Sequence, residues 1–284
     1  MTTEPASSRP PLVDSHCHLQ ADRFAADVDL VVGGARIAGV ERILVPGWDE
    51  ASCEGALAFV ERFAWLDAAV GVHPHDAANV DDAAWARISA LARDPRVVAI
   101  GETGLDFDRV FSPVESQLAN LRRNLALAAE TGKPAILHCR SAAGRRDAQD
   151  ALVSELRAAG FDGGGSEAFG GRPPAVIHSY SGPVDFATAV LEMGLAISFS
   201  GLVFRAGEEA SAGVVRLVPP DRLLVETDSP FLSPPGAPRK RNEPEWVRVT
   251  AAWVADRRGE APGALGARLV ANYDAIFGSE RLTP

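Results

Sequence analysis

The sequence holds six histidines, and the first two stand one residue apart in VDSHCHLQ, residues 13 to 20. Successive side chains of a β-strand point to opposite faces, so His16 and His18 project the same way, with Asp14 behind them. Two imidazoles presented together can grip one ion. The pair alone decides little, because polar residues near a chain terminus are more often surface than ligand. The other chemistry-bearing residues repeat its setting. His73 and His75 stand in GVHPH, His138 closes PAILH and His178 closes PAVIH, while Glu102 ends VVAIGE and Asp228 follows LLVET. Each lies at the C-terminal end of a short apolar run.

Those runs are the elements that must bring the residues together. LVDSHCH, VERILVP, WLDAAVGV, RVVAIG, PAILHC, PAVIHS, GLAISFS and RLLVET read as strands, with amphipathic helical patterns between them. After Pro113, which can open a helix, Val114, Leu118, Leu121 and Leu125 recur at helical steps; Ala148, Leu152, Leu156 and Ala159 do so before Gly160. Two further helices close the chain, the first turning Trp246, Thr250, Trp253 and Val254 toward the core. About eight such units with no composition break favour a closed (β/α)8 TIM-type barrel of the α/β class over an open doubly wound sheet, whose first turn would carry glycines where histidines stand here. Residues 1–11 read as a flexible tail and 12–284 as the barrel domain. The glycine-rich stretch 161–174 reads as an exposed insertion.

In a parallel barrel every strand's C-terminal end opens onto one face, so imidazoles and carboxylates from all these ends converge there, a composition suited to Zn²⁺, Mn²⁺ or Mg²⁺. His16, His18, His138 and His178 with Glu102 and Asp228 exceed the needs of one ion that keeps an open position, so two divalent ions with a shared anionic ligand are expected. A carboxylated lysine is excluded as the bridge, because Lys133 precedes its strand and Lys240 lies beyond the last one. Glu102 is the natural bridge. His73 and His75 are expected to contact substrate rather than metal, and Asp106 to orient a ligand histidine or cap a loop. Arg140 shares the face of His138 and suits an anionic oxygen; Arg205 invites the same reading. The basic stretch RKRNE, residues 239 to 243, is a solvated loop or a rim contact.

Composition sets limits. The chain of 284 residues is 46% hydrophobic with a formal net charge of −10, which argues against a protein that holds nucleic acid by bulk electrostatic attraction. No apolar run reaches the roughly 20 residues a bilayer span requires, and the polar start lacks a signal-peptide core, so a cytoplasmic protein without membrane contact is expected. Cys17, Cys53 and Cys139 are odd in number and far apart, and read as buried apolar residues.

As an ordered set, DSHCHL, GVHPH, IGETGLDF, ILHCR, IHSYSG, SFSG, LLVETDSPFL and RKRNEP closely resemble the TatD family of metal-dependent deoxyribonucleases, within the amidohydrolase-like barrels, from about Leu12 to Gly278. The resemblance implies that His16, His18 and Asp228 hold a first ion, His138 and His178 a second, and Glu102 both. It also supplies the substrate: DNA, single-stranded or at 3′ ends, shortened from 3′ to 5′ by a metal-activated water, with Asp228 and Glu102 catalytic, Arg140, His73, His75 and Arg205 on the substrate, and the protein a monomer. Phe107, Ser141, Ser179, Tyr180 and Arg205 depart from the commoner residues at their positions without removing a ligand. The competing expectation is a hydrolase of carboxyl esters or amides, such as an aminoacyl-tRNA deacylase, since the same ions polarise a carbonyl equally well; a scaffold without chemistry is third.

Overall fold

The computed structural model describes residues 10–163 and 167–278. Eight strands run in chain order, β1 Leu12–Asp14, β2 Val40–Pro46, β3 Leu66–Val70, β4 Val97–Asp106, β5 Ala135–Arg140, β6 Ala175–Ile177, β7 Ala196–Phe199 and β8 Leu223–Val225. Each pairs in parallel with the next. Around them lie α1 Val28–Ile37, α2 Glu50–Arg62, α3 Asp82–Leu91, α4 Val114–Thr131, α5 Asp147–Ala158, α6 Val184–Glu192, α7 Ser211–Leu217, α8 Val247–Arg258 and α9 Pro262–Phe277. This is a TIM barrel.

The strands are near-continuous apolar runs because both of their faces are covered, the inner by the barrel and the outer by helices. Helix limits follow from local chemistry. Asp49 and Ser52 form a reciprocal cap at the start of α2, Pro113 precedes α4 as the spacing predicts, and Gly132, Gly259 and Gly278 end α4, α8 and α9 in the left-handed conformation. Leu121, Leu125, Leu152 and Leu156 are buried, whereas Ala159 lies just beyond α5 and is exposed. Thr250 and Val254 are buried; Trp246 and Trp253 are half-buried.

Ladder hydrogen bonds do not join β1 to β8 along their length. The gap is closed at and just beyond the strand ends, where Ser15 donates its N–H to the Val225 carbonyl at 3.1 Å. Asp228 donates its N–H to the His16 carbonyl at 2.9 Å, and His18 donates to the Ser229 carbonyl at 2.8 Å. The buried Asp14 carboxylate accepts the Thr227 N–H at 2.8 Å and the Thr227 hydroxyl at 2.5 Å. Asp14 therefore fastens this seam and does not join His16 and His18 in presenting a ligand.

The stretch 161–174 is anchored more firmly than its composition suggests. Phe161 and Phe169 are buried in the main core with ring centroids 5.3 Å apart, which ties the loop down on either side. Residues 164–166, like 1–9 of the expected tail, lie outside the described residues.

Candidate metal centre

β4 does most to shape the barrel mouth. Its register against β5 shifts between Ile100 and Thr103, and the Glu102 N–H donates at 2.7 Å to the Gly47 carbonyl, beyond the neighbouring strand β3. Such a bulge re-aims a side chain, and here it turns Glu102 into the mouth. The bulge fits because Gly71 has no side chain: a Cβ there would meet the Gly101 Cα at 2.6 Å.

Glu102 lies at the centre of the imidazoles. Its Oε2 is 3.2 Å from His16 Nε2 and 3.6 Å from His18 Nε2. Its Oε1 is 2.9 Å from His178 Nε2, 3.3 Å from His138 Nδ1 and 3.3 Å from His73 Nε2. Asp228 Oδ1 stands 3.3 Å from His18 Nε2 and 4.0 Å from His16 Nε2. All six expected ligands are thus brought together, and His73 joins them more closely than a residue expected only on substrate. Among the described residues three overlapping groups, His16 with His18 and Asp228, His16 with Glu102 and His178, and His73 with Glu102 and His138, have ligand atoms within 4.8 Å of one another.

A second set of carboxylates fixes which nitrogen faces Glu102. Asp106 Oδ2 is 3.2 Å from His138 Nε2, which leaves Nδ1 for the mouth. Asp106 Oδ2 also lies 2.8 Å from His75 Nε2, and Oδ1 accepts the N–H groups of Asp108 and Arg109, so the residue both orients a histidine and caps a loop. Glu226 Oε1 is 3.0 Å from His178 Nδ1 and leaves Nε2 facing Glu102. Such partners set tautomer and ring orientation.

Glu226 was not among the residues singled out from sequence. The available signal was its position two residues before Asp228, at the end of a fully apolar strand where a carboxylate has no structural reason to be. The inward polar face of α4 was also missed. Gln117 accepts the Asp106 N–H at 2.8 Å and donates to the Asp106 and Ser112 carbonyls, and Asn120 donates to the Val72 carbonyl at 2.7 Å. These amides pin the ends of β3 and β4.

The electrostatics suit cation binding. Burial alone would raise the Glu102 carboxyl, but His178, His73 and His16, with the bond to His138, hold it well below its ordinary value. Burial likewise opposes ionisation of Asp106 and Asp228, yet hydrogen bonds from His138 and His75 to the first and from His18 to the second hold both low. Burial lowers His16, further depressed by His178, and takes His73 down to about 4. His178 moves the other way: burial would lower it, but Glu102 and Glu226 raise it well above its usual value.

A metal fits this donor set on two grounds. Two ligands about 2.1 Å from a tetrahedral ion lie about 3.4 Å apart, and the spacings of Glu102 and Asp228 to their nearest imidazoles bracket that value. In addition, His16 Nδ1 and His18 Nδ1 are buried without a hydrogen-bond partner, while their Nε2 atoms face each other at 3.2 Å. One proton between two facing Nε2 atoms satisfies only one of their lone pairs, whereas a cation beside them accepts both.

The rest of the rim carries positive charge. Arg140 Nη1 lies 3.6 Å from Asp106 Oδ2, at the mouth. Arg205 does not reach the donor cluster in any observed contact; with Phe204, Ser233 and Arg239 it lines a cleft of about 250 Å³ between the turn after β7 and the loop after β8. From RKRNE, Arg241 pairs with Asp27 at 2.8 Å and Asn242 donates to the Thr227 carbonyl at 2.9 Å, so this stretch braces the seam. All three cysteines are buried and free.

The chain matches the family described as TatD related DNase over residues 13–278. It is 36% identical over 247 residues to the Uncharacterized metal-dependent hydrolase YabD of Bacillus subtilis (strain 168), covering 86% of this chain and 90% of that one. It is 37% identical over 273 residues to the 3'-5' ssDNA/RNA exonuclease TatD of Cronobacter sakazakii, covering 94% and 97%. Among solved structures, YJJV, a TatD homolog from Escherichia coli k12, superimposes with a TM-score of 0.82 at 27% identity, covering 95% of this chain and 98% of that one.

Proposed function

The chain belongs to the TatD-related DNase family, and from that membership we propose that it is a 3′-to-5′ exodeoxyribonuclease that works with two divalent ions. The observation that carries the two-ion reading is the division of Glu102: one carboxylate oxygen faces His16 and His18, the other His138 and His178. A carboxylate so placed would be shared by two ions. His16, His18 and Asp228 would hold the first ion, and His138 and His178 the second. His73, beside the same Glu102 oxygen, stands where donor set and substrate meet. When bound, the ions polarise a phosphoryl oxygen and lower the pKa of water.

The chain's own residues supply the remaining steps. Asp106 and Glu226 keep His138 and His178 in the tautomer that turns a lone pair inward. Asp228, ionised and at the edge of the cluster, orients the attacking water and takes its proton. Arg140, beside Asp106, presents guanidinium donors to the non-bridging oxygens of the scissile phosphate; His75, bound to Asp106 through Nε2, adds a donor from Nδ1 in its imidazolium form; and Arg205 meets the strand further out. Attack at phosphorus breaks the bond to the 3′-oxygen of the penultimate nucleotide, and a 5′-mononucleotide leaves.

The test is a substrate panel on protein reconstituted with Mg²⁺, Mn²⁺ or Zn²⁺. Linear single-stranded DNA is expected to shorten from its 3′ end, a 3′-blocked strand to resist, and a closed single-stranded circle to survive; an RNA strand in the same panel reports sugar preference. Cleavage of the circle at the linear rate overturns the end-dependent reading. Intact phosphodiesters alongside hydrolysis of an aminoacyl ester replace it with a carbon-centred hydrolase.

A further inference from the structure

Of the large apolar side chains exposed among the described residues, two are aromatic, Phe111 at 72% and Phe231 at 46%. Both pack on a histidine of the site. The Phe111 ring stands edge-on to His75 with centroids 4.7 Å apart, and Phe231 stands at 70° to His18 with centroids 6.0 Å apart. They sit on opposite sides of Glu102. From Phe231 the contacts run through His18 to Oε2; from Phe111 they run through His75 and His73 to Oε1.

Neither ring is carried by a loose segment. Phe231 donates its N–H to the Asp228 carbonyl at 2.8 Å, and the Arg23 guanidinium lies 5.3 Å from its ring centroid, held by the Pro230 and Lys240 carbonyls. Beside Phe111, Ser112 is buried, donating its hydroxyl to the His75 carbonyl at 2.7 Å and accepting the Ala78 N–H at 3.0 Å. An apolar ring kept rigid and wet at the lip of a polar site is unfavourable in water. It becomes favourable once a flat, partly apolar group covers it, and unpaired bases stack on aromatic side chains with little regard to sequence.

We propose that Phe111 and Phe231 are the stacking walls of two base subsites, one on each side of the scissile phosphate, so that the 3′-terminal base and the penultimate base each rest on one ring. The proposal builds on the nuclease reading and adds its basis for choosing single strands: bases in a duplex are already stacked and paired, and seating them on the rings requires unstacking them. Sequence tolerance follows, since every base offers a flat face.

The experiment uses metal-loaded protein and oligonucleotides that carry 2-aminopurine at the terminal or the penultimate position, with a phosphorothioate at the last linkage to slow cleavage. Stacking quenches 2-aminopurine. The parental protein is expected to quench both positions, Phe111→Leu to lose the quench at one and Phe231→Leu at the other, each with binding weakened on the order of 10-fold. Phe111→Trp and Phe231→Trp should keep both quench and affinity, which an apolar spacer role does not require. Leucine variants that bind and quench like the parent, while the parent cuts the unmodified strand, overturn the stacking walls and leave the nuclease reading standing. A parental protein that neither binds nor cuts any oligonucleotide overturns both.

Discussion

At the scale of the residue, the site works by fixing protons and lone pairs. Asp106 and Glu226 each commit one nitrogen of a histidine and so free the other. The shared position of Glu102 sets the first expectation. Glu102→Ala should abolish retention of both ions, whereas His138→Ala should weaken mainly one, measured by titration calorimetry and elemental analysis after circular dichroism has confirmed the fold; two ions held at parental affinity by Glu102→Ala would remove the bridge. Asp228→Asn keeps an oxygen for the metal but cannot take a proton, so turnover should fall on the order of 10²- to 10⁴-fold with metal content largely retained. His16 and His18 were legible because period-two spacing at a strand end leaves a plain mark in sequence, whereas His73 and His75 flank a turn that sends one to Glu102 and the other to Asp106. Glu226 and Gln117 were not, since one is embedded in an apolar strand signal and the other in a helix read by its leucines.

At the scale of the element, the barrel mouth depends on close approaches that only glycine permits. Gly104 has φ of 135°, and a Cβ there would lie 2.0 Å from the His138 carbonyl oxygen, so β4 and β5 would be forced apart where they carry Glu102, Asp106 and His138. Gly104→Ala should therefore cost at least about 2 kcal/mol in denaturant unfolding and reduce ion binding with it. Gly33, in the middle of α1 and with nothing within 4 Å of a built Cβ, is the contrast. Gly33→Ala should stabilise by about 0.5–1 kcal/mol and leave the mouth untouched. All eight strands could be read from their apolar runs, because a strand covered on both faces needs continuous hydrophobicity. The bulge at Glu102 could not. It rests on Gly71 and Gly47 from other elements, which no local pattern connects to β4.

At the scale of the whole molecule, net charge and burial govern behaviour in solution. With a net charge of −10, attraction to a polyanion is confined to the rim arginines. Binding of single-stranded DNA should therefore weaken only shallowly with salt, with a slope of roughly −0.7 per phosphate neutralised; a slope implying many phosphates would point to an extended basic track. Cys17, Cys53 and Cys139 are buried, and burial pushes all three thiols up, Cys53 to about 12. None supplies thiolate near neutrality, so a thiol reagent at pH 8 should label the native protein slowly and all three cysteines after denaturation. Rapid native labelling of Cys139 would contradict its burial. No helix among the described residues is long and apolar enough to cross a membrane.

The seam between β1 and β8 gives the site a place in time. His16 and His18 are synthesised long before Asp228, and the same residues that close the barrel, Asp14 with Thr227 and His16 with Asp228, bring the first ion's ligands together. On the ligand assignment proposed above, a nascent chain holds no complete first ion site until its last strand has docked. Metal capture then follows barrel closure and records that β8 has docked against β1. In the mature protein the same coupling is visible as heat resistance: metal at a hundredfold excess over its Kd should raise unfolding free energy by about 2.7 kcal/mol, and a chelator should reverse the gain. Hydrogen exchange should locate the loosening that follows chelation at β1 and β8, on either side of the seam.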